Sequence, residues 1–385
     1  MEWTTVGGIN CYQSQNIHPE DFPNETFEMY SVPCYDDDSP EIVRGSTIGS
    51  SKQAIQEGDV LLCKINPRIN RVWTVTHHTK HRLLASSEWI VVRTKDYLPQ
   101  YLRYYFSSPY FRLLMTEHVV GIGGSLTRVQ PKLVKTYPVP ILTLAEQKAI
   151  VSRLSTLDVA IANRRHVLAL LSDLPKARFV EMFGDPMLNP MGFPVHQLKD
   201  IASTRLGKML DAKKQTGKHS FPYLANYNVQ WFHFQLEKLN QMDFDEADQK
   251  EFDLHPGDLM VCEGGEIGRC AIWQGEITNC YFQKALHRVR CDTTKILPEY
   301  LAYTFFWHSK YNGFKDVMSG VSTIAHLPGA RLKKIEVIVP PLSAQRKFAT
   351  FARACTTQRA ACARQIAALE TLRKKLLQDA FGAAE

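Results

Sequence analysis

Leu98–Phe106 reads LPQYLRYYF, and Leu297–Phe305 reads LPEYLAYTF. One phrase written twice is the first thing to resolve, because a missed internal repeat misassigns a whole fold. The echo extends in both directions. EGDVLLC (Glu57–Cys63) answers to PGDLMVC (Pro256–Cys262), LTLAEQKAI (Leu142–Ile150) to PPLSAQRKF (Pro340–Phe348), and the MFG ending at Gly184 to the AFG ending at Gly382. Gly58 to Gly257 and Leu98 to Leu297 are offset by 199, Gln147 to Gln345 and Phe183 to Phe381 by 198. A single net deletion relates two copies of one unit.

Each copy has a head and a tail. The heads are rich in Gly, Pro, Asn and aromatic residues. Their short apolar runs EWIVVRT (Glu88–Thr94), HRVR (His287–Arg290) and KKIEVIVP (Lys333–Pro340), bounded by Gly-Asp and Pro turns, read as strands. The LPxYL phrases open helices, since Pro is tolerated in a first helical turn and apolar residues then recur at helical spacing.

The tails are long helices. No Gly interrupts Leu144–Phe183, and Ile150, Leu154, Leu157, Ile161, Leu168 and Leu171 fall at steps of three and four, with a seven-residue step at Arg164. That is a coiled-coil seam. At an offset of 198 the second copy carries Phe348, Ala352, Cys355, Arg359, Cys362, Ile366 and Leu369, with Arg359 matching Ile161 and Cys362 matching Arg164. Thr143 and Ser343 are expected as N-caps, with Glu146 completing a capping box in the first copy, and Gly184 and Gly382 as terminators. Arg164 and Arg359 interrupt the seam; each either reaches out over the neighbouring helix or pairs with a carboxylate on a partner. Pro175 is expected to kink the first helix.

The order head, helix, head, helix constrains the architecture. A lone amphipathic helix is marginal in water and must bury its seam. The first helix carries the chain away from the first head, so the second can pack along it only by running back. The expected fold is α+β: two similar globular domains separated by two long antiparallel helices in a coiled coil, an internal repeat with pseudo-two-fold symmetry. The expected boundaries are 1–142 and 185–342 for the heads, 143–184 and 343–385 for the helices. Two-fold related readers at fixed separation suit two half-sites on duplex DNA, and unlike heads imply unlike half-sites with an unread gap between them.

Composition narrows the function. The 385 residues carry a net charge of +7, a weak bias toward a polyanionic partner. MEWTTVGGIN lacks the basic and apolar regions of a secretion signal, and no long apolar run exists, so a cytoplasmic protein without membrane contact is expected. Nine cysteines without a Cys-x-x-Cys pair argue against a disulfide framework or a zinc site. No G-x-x-x-x-G-K-[ST] is present; GGEIG (Gly264–Gly268) and GIGGS (Gly121–Ser125) read as turns and loops, and LNPMGF (Leu188–Phe193) as a linker. Asp258 lies in a Gly-Asp turn repeated at Asp59, which favours structure over a nuclease carboxylate. No catalytic or metal residue is assigned.

Candidate DNA contacts in the first head are Lys64, Arg68, Asn70 and Arg71 in KINPRINR, with Lys80 and Arg82. In the second they are Arg205, Lys208, Lys213, Lys214 and Lys218, with Asn226, Asn228 and Gln230 as base readers. Basic clusters neutralise phosphate, whereas a few Arg, Asn or Gln read base edges.

The repeated LPxYL phrases, the junctions YPVPILTLAEQKAIV and EVIVPPLSAQRKFA, the helix end LRKKLLQDAFG and the head phrases GDVLLCKINPRINRVW and PGDLMVCEGGEIGRCAIW resemble the specificity subunit of type I restriction-modification enzymes over essentially the whole chain. The resemblance implies that each head reads one half of a split, asymmetric DNA sequence. It implies that the helices form the spacer and dock two methyltransferase subunits, joined by restriction/translocase subunits. Catalysis would belong to those partners, together with S-adenosylmethionine, ATP and Mg, leaving no cofactor in this chain. Two other readings stay open: a protein-binding coiled-coil adaptor, and a single-chain DNA methylase or nuclease with a cryptic site.

Overall fold

The computed structural model describes residues 2–117, 119–120, 127–211, 215–311, 313–314 and 326–382. The chain divides into two compact units. One comprises Met1–Arg165 with Arg364–Glu385, the other His166–Ala363.

In the first unit, Trp3–Thr5 pairs antiparallel with Pro138–Pro140 and leads into a short helix, α1 (Val6–Ile9). A three-stranded antiparallel sheet places Val60–Cys63 between Val72–Thr74 and Trp89–Val92. A five-stranded sheet adds Asn16–Ile17, Lys52–Ala54, Arg82–Ala85, Thr26–Tyr30 and Glu41–Arg44 in that order, with Thr26–Tyr30 and Arg82–Ala85 parallel. Tyr97 and Leu98 then turn the chain into α2 (Pro99–Phe106), followed by α3 (Pro109–Glu117) and α4 (Pro131–Val134). The apolar face of α2, made by Tyr101, Leu102, Tyr105 and Phe106, is buried in one core with Val60, Leu62 and Val92.

A long helix, α5 (Leu144–Phe183), leaves this head. Its capping box forms: the Thr143 amide and hydroxyl donate to Glu146 Oε2 at 2.8 and 2.7 Å, and Glu146 N–H returns to Thr143 Oγ1 at 3.3 Å. Pro175 lies buried inside α5, which continues across it to Phe183.

The second unit repeats the plan. Val195–Gln197 pairs antiparallel with Glu336–Ile338 and leads into α6 (Leu198–Ile201). Leu259–Cys262 sits between Cys270–Ile272 and Leu286–Cys291, with Ala202–Leu206 on the outer edge. A second sheet joins Asn240–Asp243, Ser220–Leu224 and Tyr281–Phe282. The acidic helix α7 (Glu246–Glu251), α8 (Pro298–Lys310) and α9 (Gly329–Leu332) follow, then the second long helix, α10 (Leu342–Phe381). Ser343, expected as the N-cap of this helix, does not cap it. The first helical residue is Leu342, so Pro341 takes the place that Thr143 holds in the first copy; its carbonyl accepts from Ala344 and Gln345, and Ser343 sits in the first turn instead of capping it.

The sense of the long helices follows from each unit separately. In the first, Leu154 near the start of α5 shares a core with Leu377 and Phe381 at the end of α10, and Phe381 packs edge-on against Tyr101 and Tyr105. In the second, Phe179 and Phe183 at the end of α5 pack against Phe348 and Tyr300, with Ala352 in the same core. Start meets end in both, so α5 and α10 are antiparallel. Each head is therefore completed by the last turns of the helix that belongs to the other copy.

Along the expected seam, Leu154, Leu157, Ile161, Phe348, Ala352, Cys355 and Cys362 are buried, while Ile150, Leu168, Leu171, Ile366 and Leu369 are half-buried. Arg164 is exposed; Arg359 is half-buried, with its Nε enclosed and lacking a hydrogen-bond partner. All nine cysteines are free thiols, and among the described residues no helix is long and apolar enough to cross a membrane.

Candidate nucleic-acid interface

Two internal devices are built identically in the two heads. The first is a buried carboxylate in the Gly-Asp turn. Gly58 and Gly257 adopt φ of +87° and +98°, the left-handed region that glycine tolerates, and this places Asp59 and Asp258 inside. Asp59 accepts from Arg93 Nε and Nη2, both at 2.7 Å, and from the Gln56 amide at 2.9 Å. Asp258 accepts from Arg290 Nε at 2.7 Å and Nη2 at 2.8 Å, and from the His255 amide at 2.7 Å. The hydrogen-bonded carboxylate raises the pKa of Arg93 and of Arg290 above the ordinary arginine value. Asp258 thus has both oxygens committed, as the sequence reading of a structural turn expects.

The second device is a buried glutamine at the head-to-helix junction. Gln147 Oε1 accepts from the Leu98 amide at 2.8 Å, while its Nε2 donates to the carbonyls of Asp96 at 3.2 Å and Leu142 at 3.0 Å. Gln345 does the same with Leu297 at 2.9 Å, Lys295 at 3.1 Å and Pro340 at 2.8 Å. Both side chains are fully enclosed. These glutamines and the two Asp–Arg pairs are what residue-type reasoning overlooked. Their signal was present: polar residues kept between the copies at matching positions of the repeated phrases.

Against this shared frame the outer surfaces differ. In the first head, Pro67–Ile69 forms a 3-10 turn between Asn66 and Asn70, both left-handed at φ +48° and +56°. The turn is pinned from behind, Asn66 N–H to Thr127 O at 2.8 Å and Val129 N–H to Lys64 O at 2.9 Å. Arg68 and Lys80 are exposed, and Lys64 and Asn70 are half-buried. Arg71 is half-buried with its Nε enclosed; burial raises the pKa of the neighbouring Cys63 thiol, and the Arg71 charge offsets part of that rise. Arg82 lies over the rings of Phe22 and Phe27 at 4.7 and 5.0 Å and within 3.4 Å of Glu25.

In the second head, several expected contacts are occupied internally. Arg205 pairs with Glu251 and lies over Phe252. Lys208 Nζ donates to Asp243 O at 2.6 Å and to Asp248, so α7 neutralises both cations. Asn228 is corrected outright: it is 1% exposed, its Oδ1 accepts from Ala225 N–H and its Nδ2 donates to Gln235 O and Lys238 O, leaving nothing for a base. Asn226 Nδ2 donates to Gly264 O at 2.7 Å and its Oδ1 accepts from Arg269 at 2.7 Å, and Gln230 donates to Tyr227 O. Lys218 is exposed. Lys213, Lys214 and the GIGGS loop lie outside the described residues. Among the described residues, no group of three or more His, Cys, Asp or Glu could hold a metal ion.

Residues 190–370, the second head and most of α10, match the family model for the type I restriction modification DNA specificity domain. A Haemophilus influenzae protein named as a type I restriction enzyme specificity subunit is 27% identical over 232 residues, covering 59% of this chain and 57% of that one. A Methanocaldococcus jannaschii protein named as the MjaX specificity subunit is 25% identical over 164 residues, 42% of this chain and 38% of its own. Among solved structures, a chain from a type I R-M system studied for complex assembly and conformational transition covers 99% of this chain and 97% of its own, with a TM-score of 0.63 and 18% identity. The chain is similar to type I specificity subunits, in sequence over residues 190–370 and in fold along its length. The likeness in fold runs through both heads: the S subunit from M. genitalium matches over 100% of this chain and 97% of its own, with a TM-score of 0.59 at 13% identity. The aligned segments span little more than half of the first curated relative and under two fifths of the second.

Proposed function

We propose that this chain is the non-catalytic, sequence-reading subunit of a type I restriction-modification assembly. Residues 1–142 and 185–342 act as target-recognition domains, one half-site each, and 143–184 with 343–385 form the spacer. The observation that carries the reading is the contrast between frame and surface. The same Asp–Arg and glutamine devices recur in both heads, and in each the strand after the Gly-Asp turn lies between two antiparallel neighbours, whereas the exposed cations do not correspond. A mount kept constant beneath unlike faces suits two readers of unlike sequences.

Double-stranded DNA, two methyltransferase subunits and the restriction/translocase subunits are the partners on this reading. S-adenosylmethionine, ATP and Mg would be held by those subunits, and the complex would work in the cytoplasm. Apolar surface on the second half of α5 supports docking: Val167, Leu170 and Leu174 recur at helical spacing and are 38%, 56% and 48% exposed. Within the first head, Arg68 and Lys80 are the phosphate contacts favoured by exposure, and Lys218 in the second.

The test is to produce the chain with the proteins encoded beside it and map methylated bases. A split motif whose one half changes when one head is exchanged supports the proposal. The isolated chain cutting or methylating DNA would favour the single-chain enzyme, and no DNA protection in any complex would favour the adaptor.

A further inference from the structure

We infer that Gln147 and Gln345 are positioning residues that set the angle at which each head meets its spacer helix, and through that angle the gap between the half-sites. The inference rests on the reading of the heads as DNA readers. Each amide joins three backbone segments: the residues before α2 or α8, the linker between the preceding strand and the long helix, and the long helix that carries the glutamine itself. A helix of 40 residues is about 60 Å long at 1.5 Å per residue. A swing of about 10° at its root moves its far end by about 10 Å, about three base pairs at 3.4 Å each. Three directed hydrogen bonds from an enclosed amide add an orientation requirement to the apolar packing around the junction. Replacement of either residue alters geometry without touching any surface that faces solvent, since both are fully buried.

The experiment uses the full chain produced with its neighbouring subunits and reads the lengths of the gap in methylated sites. Gln147→Met removes all three hydrogen bonds at nearly constant volume; Gln147→Glu keeps an acceptor for the Leu98 amide; Gln345→Met and Gln345→Glu repeat the pair in the other head. The expected result is that the methionine variants methylate sites with gaps one base pair longer or shorter at least ten-fold more than the unaltered chain does. The bases of both halves stay the same, and the glutamate variants recover part of the discrimination. Folded variants with unchanged gap preference overturn the inference, as does a change in the bases read. Failure of all four variants to fold also overturns it, by making the glutamines folding residues only. If the unaltered chain yields no split methylated sequence, the functional reading itself falls and takes this inference with it. A split sequence with unaltered gaps in the variants sinks the inference alone.

Discussion

Arg290 clasps Asp258 with two parallel hydrogen bonds, and it does so from unequal surroundings: the carboxylate side chain is 1% exposed, the guanidinium 34%. Removing one partner of a buried pair strands the other, and the cost depends on which is stranded. Arg290→Ala leaves a buried carboxylate facing the His255 amide, and should destabilise by about 3–5 kcal/mol. Asp258→Asn keeps an acceptor, leaves an arginine that reaches water, and should cost about 1–2 kcal/mol. Urea unfolding of the variants measures both, and equal costs would contradict the argument.

His308 makes stability depend on pH. Burial pushes its pKa from 6.5 down to about 4, against the opposing pull of the Asp185 carboxylate. Above pH 6.5 both folded and unfolded imidazoles are neutral and nothing is lost. As pH falls from 6.5 toward 4 the unfolded chain takes up a proton that the folded one refuses, and stability drops by up to about 3 kcal/mol. His308→Gln should flatten that part of the profile relative to the unaltered chain; identical profiles from pH 7 to 4.5 would refute the assignment.

Phe381 closes the first unit. Its ring, 2% exposed, meets Tyr101 and Tyr105 at 5.6 and 5.5 Å. Phe381→Ala should cost about 3–5 kcal/mol, and the last turns of α10 should become open to trypsin at Lys374 and Lys375. Unchanged digestion would show that Leu377 alone holds the helix end.

On the proposed function, Lys218→Ala and Lys80→Ala should each weaken DNA binding by the complex on all sequences. Each should reduce the slope of log affinity against log salt by about 0.9. Asn228→Ala should instead lower stability and leave the sequence read unchanged. Binding isotherms at several salt concentrations separate these outcomes, and an altered recognition sequence in Asn228→Ala would reverse its internal assignment.

The architecture was legible because packing leaves periodic marks. The LPxYL phrases begin α2 and α8, and the seam residues at three- and four-residue steps outline α5 and α10. The surface was less legible, since charge is neutralised by residues distant in the chain. Arg205 and Lys208 looked free until α7 supplied Glu251 and Asp248 some forty residues later. Asn228 looked like a reader because composition does not say where an amide points. The glutamine junctions were visible as matching letters, but their meaning lay in three backbone partners that no spacing rule names.

The lending of helix ends has a consequence for biosynthesis. The first head is translated long before Leu377 and Phe381 of its own core, whereas the unit spanning His166–Ala363 is contiguous and complete before them. The unit begun first is thus completed after the second, and a nascent chain that has not reached Phe381 leaves Tyr101 and Tyr105 without the ring that packs on them.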